Sequence, residues 1–261
     1  MTPRVWLFVL LLLCLAAAVG CDKDEGEEVT GVQCPQGPIF THHVIDPDSV
    51  QNIDPLGNLN PPGHTFPSDH GGYYIAVPPP GKETYNVQFY CPGDLTCTRL
   101  VAVEHVNAGI TDFSLDFEAC ADITVVMGHI ASLNPDVFGA TADYTQWGDF
   151  EEYTTGGETY RRYMQWTRIE IAAGERLGTA GGNPGQGGLD FGIHDLTAPA
   201  HTAANPGRWY ERYLHSFHFI EYYADGPVKE RLIQLLNREV IPDDPHPYGY
   251  NMQDVPGTAH G

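Results

Sequence analysis

Between Gly63 and Tyr74 the chain reads GHTFPSDHGGYY, which gathers His64, Asp69 and His70 among glycines and a proline. Imidazoles and a carboxylate on a turn-rich lead-in can supply metal donors or a proton-transfer pair, because such a loop delivers them to the mouth of a strand. The plain alternative is a polar loop closed by the Gly71-Gly72 turn. His129 ends an apolar run and is either a packed core residue or a group aimed into a cleft. His215 and His218 lie one helical turn apart and offer an i, i+3 pair, with an aromatic helix face docked on a sheet as the competing use of that segment.

These residues need elements to hold them, and the sequence supplies mostly strands. Tyr73, Ile75 and Val77 alternate directly after His70. So do Tyr85, Val87 and Phe89 within Thr84–Tyr90, and Phe113, Leu115 and Phe117 within Asp112–Glu118, with acids on the opposite face. Leu100–Val106 is a further strand, Ile123–Ile130 is apolar on both faces and reads as a central buried one, and Tyr160–Ile171 and Leu189–Leu196 follow. Asn134–Gly157 reads as a solvated insertion or lid, and the glycine-rich Gly181–Gly188 as a turn. After Ala200, the recurrence of Trp209, Tyr213, Phe217 and Ile220 predicts a helix, broken at Asp225-Gly226-Pro227 before a second one over Val228–Asn237. The expected fold is mainly β, an antiparallel sheet or sandwich with a C-terminal α-helical appendage.

The 13 basic residues face 34 acidic ones, for a formal charge of −21. Phosphate binding needs a basic surface, so nucleic acid is argued against as a partner. The 29 glycines and 21 prolines imply many turns between short strands. Arg4 precedes an apolar run from Val5 to Val19, too short to span a bilayer and suited to an export signal. That run closes in Ala17-Ala18-Val19-Gly20-Cys21, which resembles the lipobox of bacterial lipoproteins. The resemblance implies that residues 1–20 are removed and that Cys21 carries the lipid, anchoring the chain to the cell envelope through a membrane that Asp22 alone does not specify. Residues 21–37 then form an acidic tether. Cys34, Cys91, Cys97 and Cys120 remain, an even number that in an exported chain favours disulfides, with three connectivities open. Cys91 and Cys97 enclose a turn and make the natural local pair, leaving Cys34 with Cys120. A cysteine-ligated zinc is the rival, although the spacing is not C-x2-C.

Four motifs occur in order: His70-x-Gly72-x-x-Ile75-x-x-Pro78-x-x-Gly81, Gly128-His129-Ile130, Ala173-Gly174-Glu175-Arg176-Leu177-Gly178-Thr179-Ala180-Gly181, and Leu189-Asp190-Phe191-Gly192-Ile193. Together they resemble the M23 (LytM/lysostaphin-type) zinc peptidases, β-sheet proteins that cut peptide crosslinks in peptidoglycan. The resemblance spans Pro62 to Leu196, within a β domain taken as residues 38–200 and followed by an appendage over 201–261.

By that resemblance His70 falls on the first metal ligand, Asp190 on the third, and His129 on a histidine that assists the attacking water. Tyr74 stands where a ligating aspartate belongs, and Gly188 where a second assisting histidine belongs. A zinc site from His70, Asp190 and one of His64, Asp69 or His194, with His129 as proton shuttle, is chemically sensible. Two readings follow. One is a catalytically degenerate lipoprotein that binds peptidoglycan or a cell-wall hydrolase. The other is an active zinc endopeptidase with a remodelled ligand set.

Overall fold

Alternation of apolar and polar residues sets the strands, and their order buries the apolar set. The computed structural model describes residues 33–57, 68–75, 86–181, 187–201 and 211–237. The leader, Cys21, most of the tether, His64, Trp209 and the end of the chain lie outside the described residues. The strands are β1 (Val50–Asp54), β2 (Gly71–Ile75), β3 (Val87–Tyr90), β4 (Leu95–His105), β5 (Ile110–Cys120), β6 (Ile123–Leu133), β7 (Asp149–Thr155), β8 (Glu158–Ile171), β9 (Arg176–Ala180), β10 (Gly188–Asp195) and β11 (Ser216–Phe217). Eight of them run β1-β2-β10-β6-β5-β4-β8-β7 in antiparallel register; β11 extends the ladder on β10, β9 joins the end of β6, and β3 joins β9. The mainly β expectation is met.

The core lies against one face of β2, β10 and β6. Tyr73, Leu189, Phe191, Ile193, Val125 and Met127 are buried there. Phe219 stacks on Phe191 at 4.6 Å and on Tyr73 at 5.0 Å, and Phe40 meets Phe191 at 5.5 Å. These rings sit beneath β10, which carries Asp190, and β2, into which His70 leads, so aromatic packing fixes the spacing of the two strands. A tight approach at the β6–β9 crossing adds to this: a Cβ on Gly178 would stand 1.9 Å from the Ser132 carbonyl oxygen, so only glycine fits.

Two segments depart from the sequence reading. Within the expected lid, β7 pairs with β8 along its whole length although all seven of its residues are exposed. Cross-strand rings hold it, Phe150 with Tyr163 and Tyr153 with Tyr160, each at 5.2 Å. The expected helix through Tyr213 and Ile220 is instead a 3-10 turn at Glu211–His215, strand β11 and a second 3-10 turn at Phe219–Tyr222; among the described residues of this tail, Pro227–Leu235 is the one α-helix. Tertiary pairing overrides the helical periodicity. β2 pairs with β10 only as far as Phe191, and β11 takes up the ladder at Ile193 and His194. His218 is fully buried, accepting from the Ile220 amide and lying 3.2 Å from the Asp54 carbonyl. Tyr223 and Leu232 are buried too, so the tail completes the core.

Of the two expected disulfides, Cys34–Cys120 forms. The Cys91–Cys97 bond does not: both residues are buried free thiols. Cys91 Sγ donates to the Gly93 carbonyl at 3.1 Å, and a bulge between Cys97 and Arg99 accompanies a longer contact from Cys97 Sγ to the Arg99 carbonyl. Each thiol is thus turned to its own chain. Burial pushes both thiols up to about 12.

Candidate functional site

β10 is an interior strand, so Gly188, Asp190, Gly192 and His194 form a line on the face opposite Leu189, Phe191 and Ile193, open at Gly188 and Asp190 and covered at Gly192 and His194. Asp190 is paired with Gly72 of β2 on one side and Gly128 of β6 on the other. A Cβ at Gly128 would lie 3.5 Å from Asp190 Oδ2, and one at Gly72 would lie 3.8 Å from Oδ1. The carboxylate therefore stands in a slot with no side chain on either flank.

Two imidazoles reach into that slot from opposite sides. His70, which leads into β2, places Nε2 3.4 Å from Asp190 Oδ2, and His129 on β6 places Nε2 3.3 Å from the same oxygen. The second nitrogen of each ring is held by its own carboxylate. His129 Nδ1 donates to Asp112 Oδ2 at 3.0 Å, and His70 Nδ1 donates to Asp69 Oδ1 at 2.9 Å. Asp69 also accepts from His194 Nε2, through Oδ2 at 3.2 Å. The result is an alternating chain: Asp112, His129, Asp190, His70, Asp69, His194.

Backbone strain shows how His129 gets there. It has φ 59°, the only positive φ at a non-glycine residue among the described residues. The pairing of β6 is irregular on both sides of this point, between Phe113 and Leu115 on β5 and between Ile130 and Ser132 toward β9. A bulge in a left-handed conformation costs on the order of 1–3 kcal/mol and is retained where the surrounding structure holds it. Here it turns the imidazole off the ladder and toward Asp190.

The charges follow from this geometry. The Asp112 hydrogen bond, against the opposing effect of burial and with help from Asp190, raises His129 to about 9. Burial alone would lower His70, but the Asp69 hydrogen bond and the negative charge of Asp190 more than offset it, and its pKa is raised. Burial alone would raise Asp69, but its bonds from His194 and His70 hold it well below the carboxylate range. Because the folded value of His129 lies above the unfolded value near 6.5, its contribution to stability is complete below about pH 6.5 and is lost as pH rises through about 9. In the metal-free protein the His129 ring should titrate near 9 by NMR, and Asp112→Asn should move that midpoint down. An unchanged midpoint in the variant would contradict the coupling.

Compared with protein-family models, with curated proteins and with solved structures, the chain finds no match.

The structure brings His70, Asp190 and His129 together. Asp69 and His194 stand one step behind His70, with both Asp69 oxygens already taken by imidazoles, and His64 lies outside the described residues. Tyr74 is exposed on β2 opposite Gly188; partial burial, then the charges of Asp54 and Asp190, raise its hydroxyl. A Cβ at Gly188 would meet the Tyr73 carbonyl oxygen at 2.8 Å, so no histidine fits there without a shift of the backbone. Sequence reasoning missed Asp112, whose signal was only its place on the polar face of β5. Among the described residues no group of three or more His, Cys, Asp or Glu side chains is arranged, as it stands, to hold a metal ion. The two imidazole nitrogens meet one Asp190 oxygen at 3.3 and 3.4 Å, contacts of ion-pair length that are also of the order of the spacing between neighbouring donors on one zinc, about 3.3–3.5 Å.

Proposed function

We propose that this chain is a cell-envelope lipoprotein whose M23 peptidase-like domain is a zinc-dependent hydrolase, with the metal held by His70, Asp190 and His129. The supporting observation is the convergence of two imidazole nitrogens on one carboxylate oxygen, each ring backed by a carboxylate at its other nitrogen. Oriented rings of this kind fit zinc, because the outer carboxylate fixes the tautomer and strengthens the donor. Bound there, zinc would polarise a substrate carbonyl and acidify a water.

The chain's own groups do the rest. Asp112 and Asp69 hold the two imidazole N–H groups and so aim the opposite nitrogens at one point. Tyr74, kept neutral beside Asp190, is a hydrogen-bond donor available to an oxygen that gains charge. Gly72 and Gly128 leave the floor low enough for a substrate backbone to approach the carboxylate. The M23 resemblance assigns peptide crosslinks of peptidoglycan as substrate, and the lipobox resemblance makes Cys21 the lipid anchor; the acidic composition disfavours anionic polymers.

A second reading, a non-catalytic module that binds peptidoglycan or a cell-wall hydrolase, is favoured by one observation. Tyr and Gly occupy the places where the resemblance puts an aspartate ligand and an assisting histidine. The two separate on the purified protein. The hydrolase binds close to one zinc per chain, loses it in His70→Ala, and releases peptides from crosslinked peptidoglycan; absence of both zinc and release leaves the binding module.

A further inference from the structure

His194 is the last member of the alternating chain and touches neither of the other converging imidazoles nor Asp190. It is only 4% exposed, and its ring lies 5.8 Å from that of Tyr213. Its Nε2 donates to Asp69, while its Nδ1 has no hydrogen-bond partner among the described residues. A buried imidazole with one nitrogen unanswered costs on the order of 1–3 kcal/mol relative to a satisfied group. An apolar side chain of similar volume would pack there without that cost. What the histidine supplies is a single N–H, and that N–H goes to the carboxylate holding His70.

The geometry around Asp69 gives this bond a consequence. Each oxygen of Asp69 accepts from a different ring, Oδ1 from His70 and Oδ2 from His194. A carboxylate bonded at one oxygen only can swing about its Cβ–Cγ bond; bonded at both, it is fixed in plane. Asp69 precedes β2, with Ser68 bracing the turn by donating to the His70 carbonyl at 2.8 Å. β10 supplies the other support, since it carries Asp190 and, four residues on, His194. The strand that contributes the central carboxylate thereby also fixes the partner of the imidazole facing it.

We propose that His194 is a positioning residue for His70, acting through Asp69, so that β10 controls both sides of the His70–Asp190 pair. The zinc-affinity arm of its test rests on the proposed hydrolase reading, and the ring-tautomer arm does not. His194→Phe, and His194→Met as a second donor-less replacement, should weaken zinc binding 10–100-fold in chelator competition. His194→Gln, which keeps an N–H donor, should stay within about threefold of the parent. Once Asp69→Asn is present, His194→Phe should add no further loss, because the two act in series.

Wild-type affinity in the donor-less variants, or a full additional loss in the Asp69→Asn background, overturns the proposal. A purely structural histidine would lower the melting temperature without this pattern. If the parent protein takes no zinc, the hydrolase reading fails alone and the 15N spectrum of the His70 ring decides. At a pH high enough for the His70 ring to be neutral, a single Nδ1–H tautomer that becomes mixed in His194→Phe or His194→Met supports positioning, and an unchanged tautomer in both refutes it.

Discussion

Asp190→Asn should abolish zinc binding and, with it, any hydrolysis, while leaving the metal-free fold in place. The substitution keeps the volume of the side chain, so the slot between Gly72 and Gly128 is not refilled. What changes is the one oxygen to which both imidazole nitrogens point, from a full anion to a neutral amide. A carboxylate is a strong zinc donor and an amide a weak one, so the loss should exceed the roughly 10–100-fold expected from Asp112→Asn, which removes only an outer partner of His129. The metal-free protein reports the same site differently. Asp190 helps hold the proton on His129, so that ring's pKa should fall from about 9 in the variant. Zinc content by elemental analysis, competition affinity and peptide release check the first claim, and ring titration checks the second. Full zinc occupancy in Asp190→Asn would sink the assignment of the metal to this slot.

The same residues show what a sequence reveals of such a site. His70 and His129 were legible because each lies next to glycine in a motif with recognisable order, and Asp190 because it falls within the ordered Leu189-Asp190-Phe191-Gly192 motif. Strands β5, β6 and β10 were legible because alternation, or its absence in a buried strand, is a direct imprint of which faces are covered. Asp112 was not legible. It alternates with Ser114 and Asp116 on a polar face, and one acid among several looks like solvation until β6 bulges toward it. The bulge carries no local mark either, since His129 takes a left-handed conformation usually given to glycine. Asp69 and His194 were both visible as candidate ligands, but that both stand behind His70 rather than against Asp190 depends on the β2–β10 register. The tail failed for a related reason: its aromatic spacing fits a helix, while the open ladder at Ile193 and His194 selects a strand.

The Cys34–Cys120 bond should be the largest single covalent contribution to stability. It closes a loop with a sequence separation of 86, which by chain entropy corresponds to about 4–5 kcal/mol lost from the unfolded ensemble's freedom. For a domain of this size the double Cys34→Ser, Cys120→Ser variant should melt roughly 10–15 °C lower. The bond ties the end of β5 to the segment that places Phe40, whose amide donates to the Tyr222 carbonyl at 3.0 Å and whose ring packs on Phe191 under Asp190. Loosening that segment should therefore disturb the site before global unfolding, seen as weaker zinc binding well below the melting temperature. Cys91 and Cys97 provide the internal control. As buried thiols raised to about 12 they should resist alkylation in the folded protein and react only on denaturation. Peptide mapping that instead found a Cys91–Cys97 bridge with Cys34 free would overturn the pairing and the stability effect argued from it.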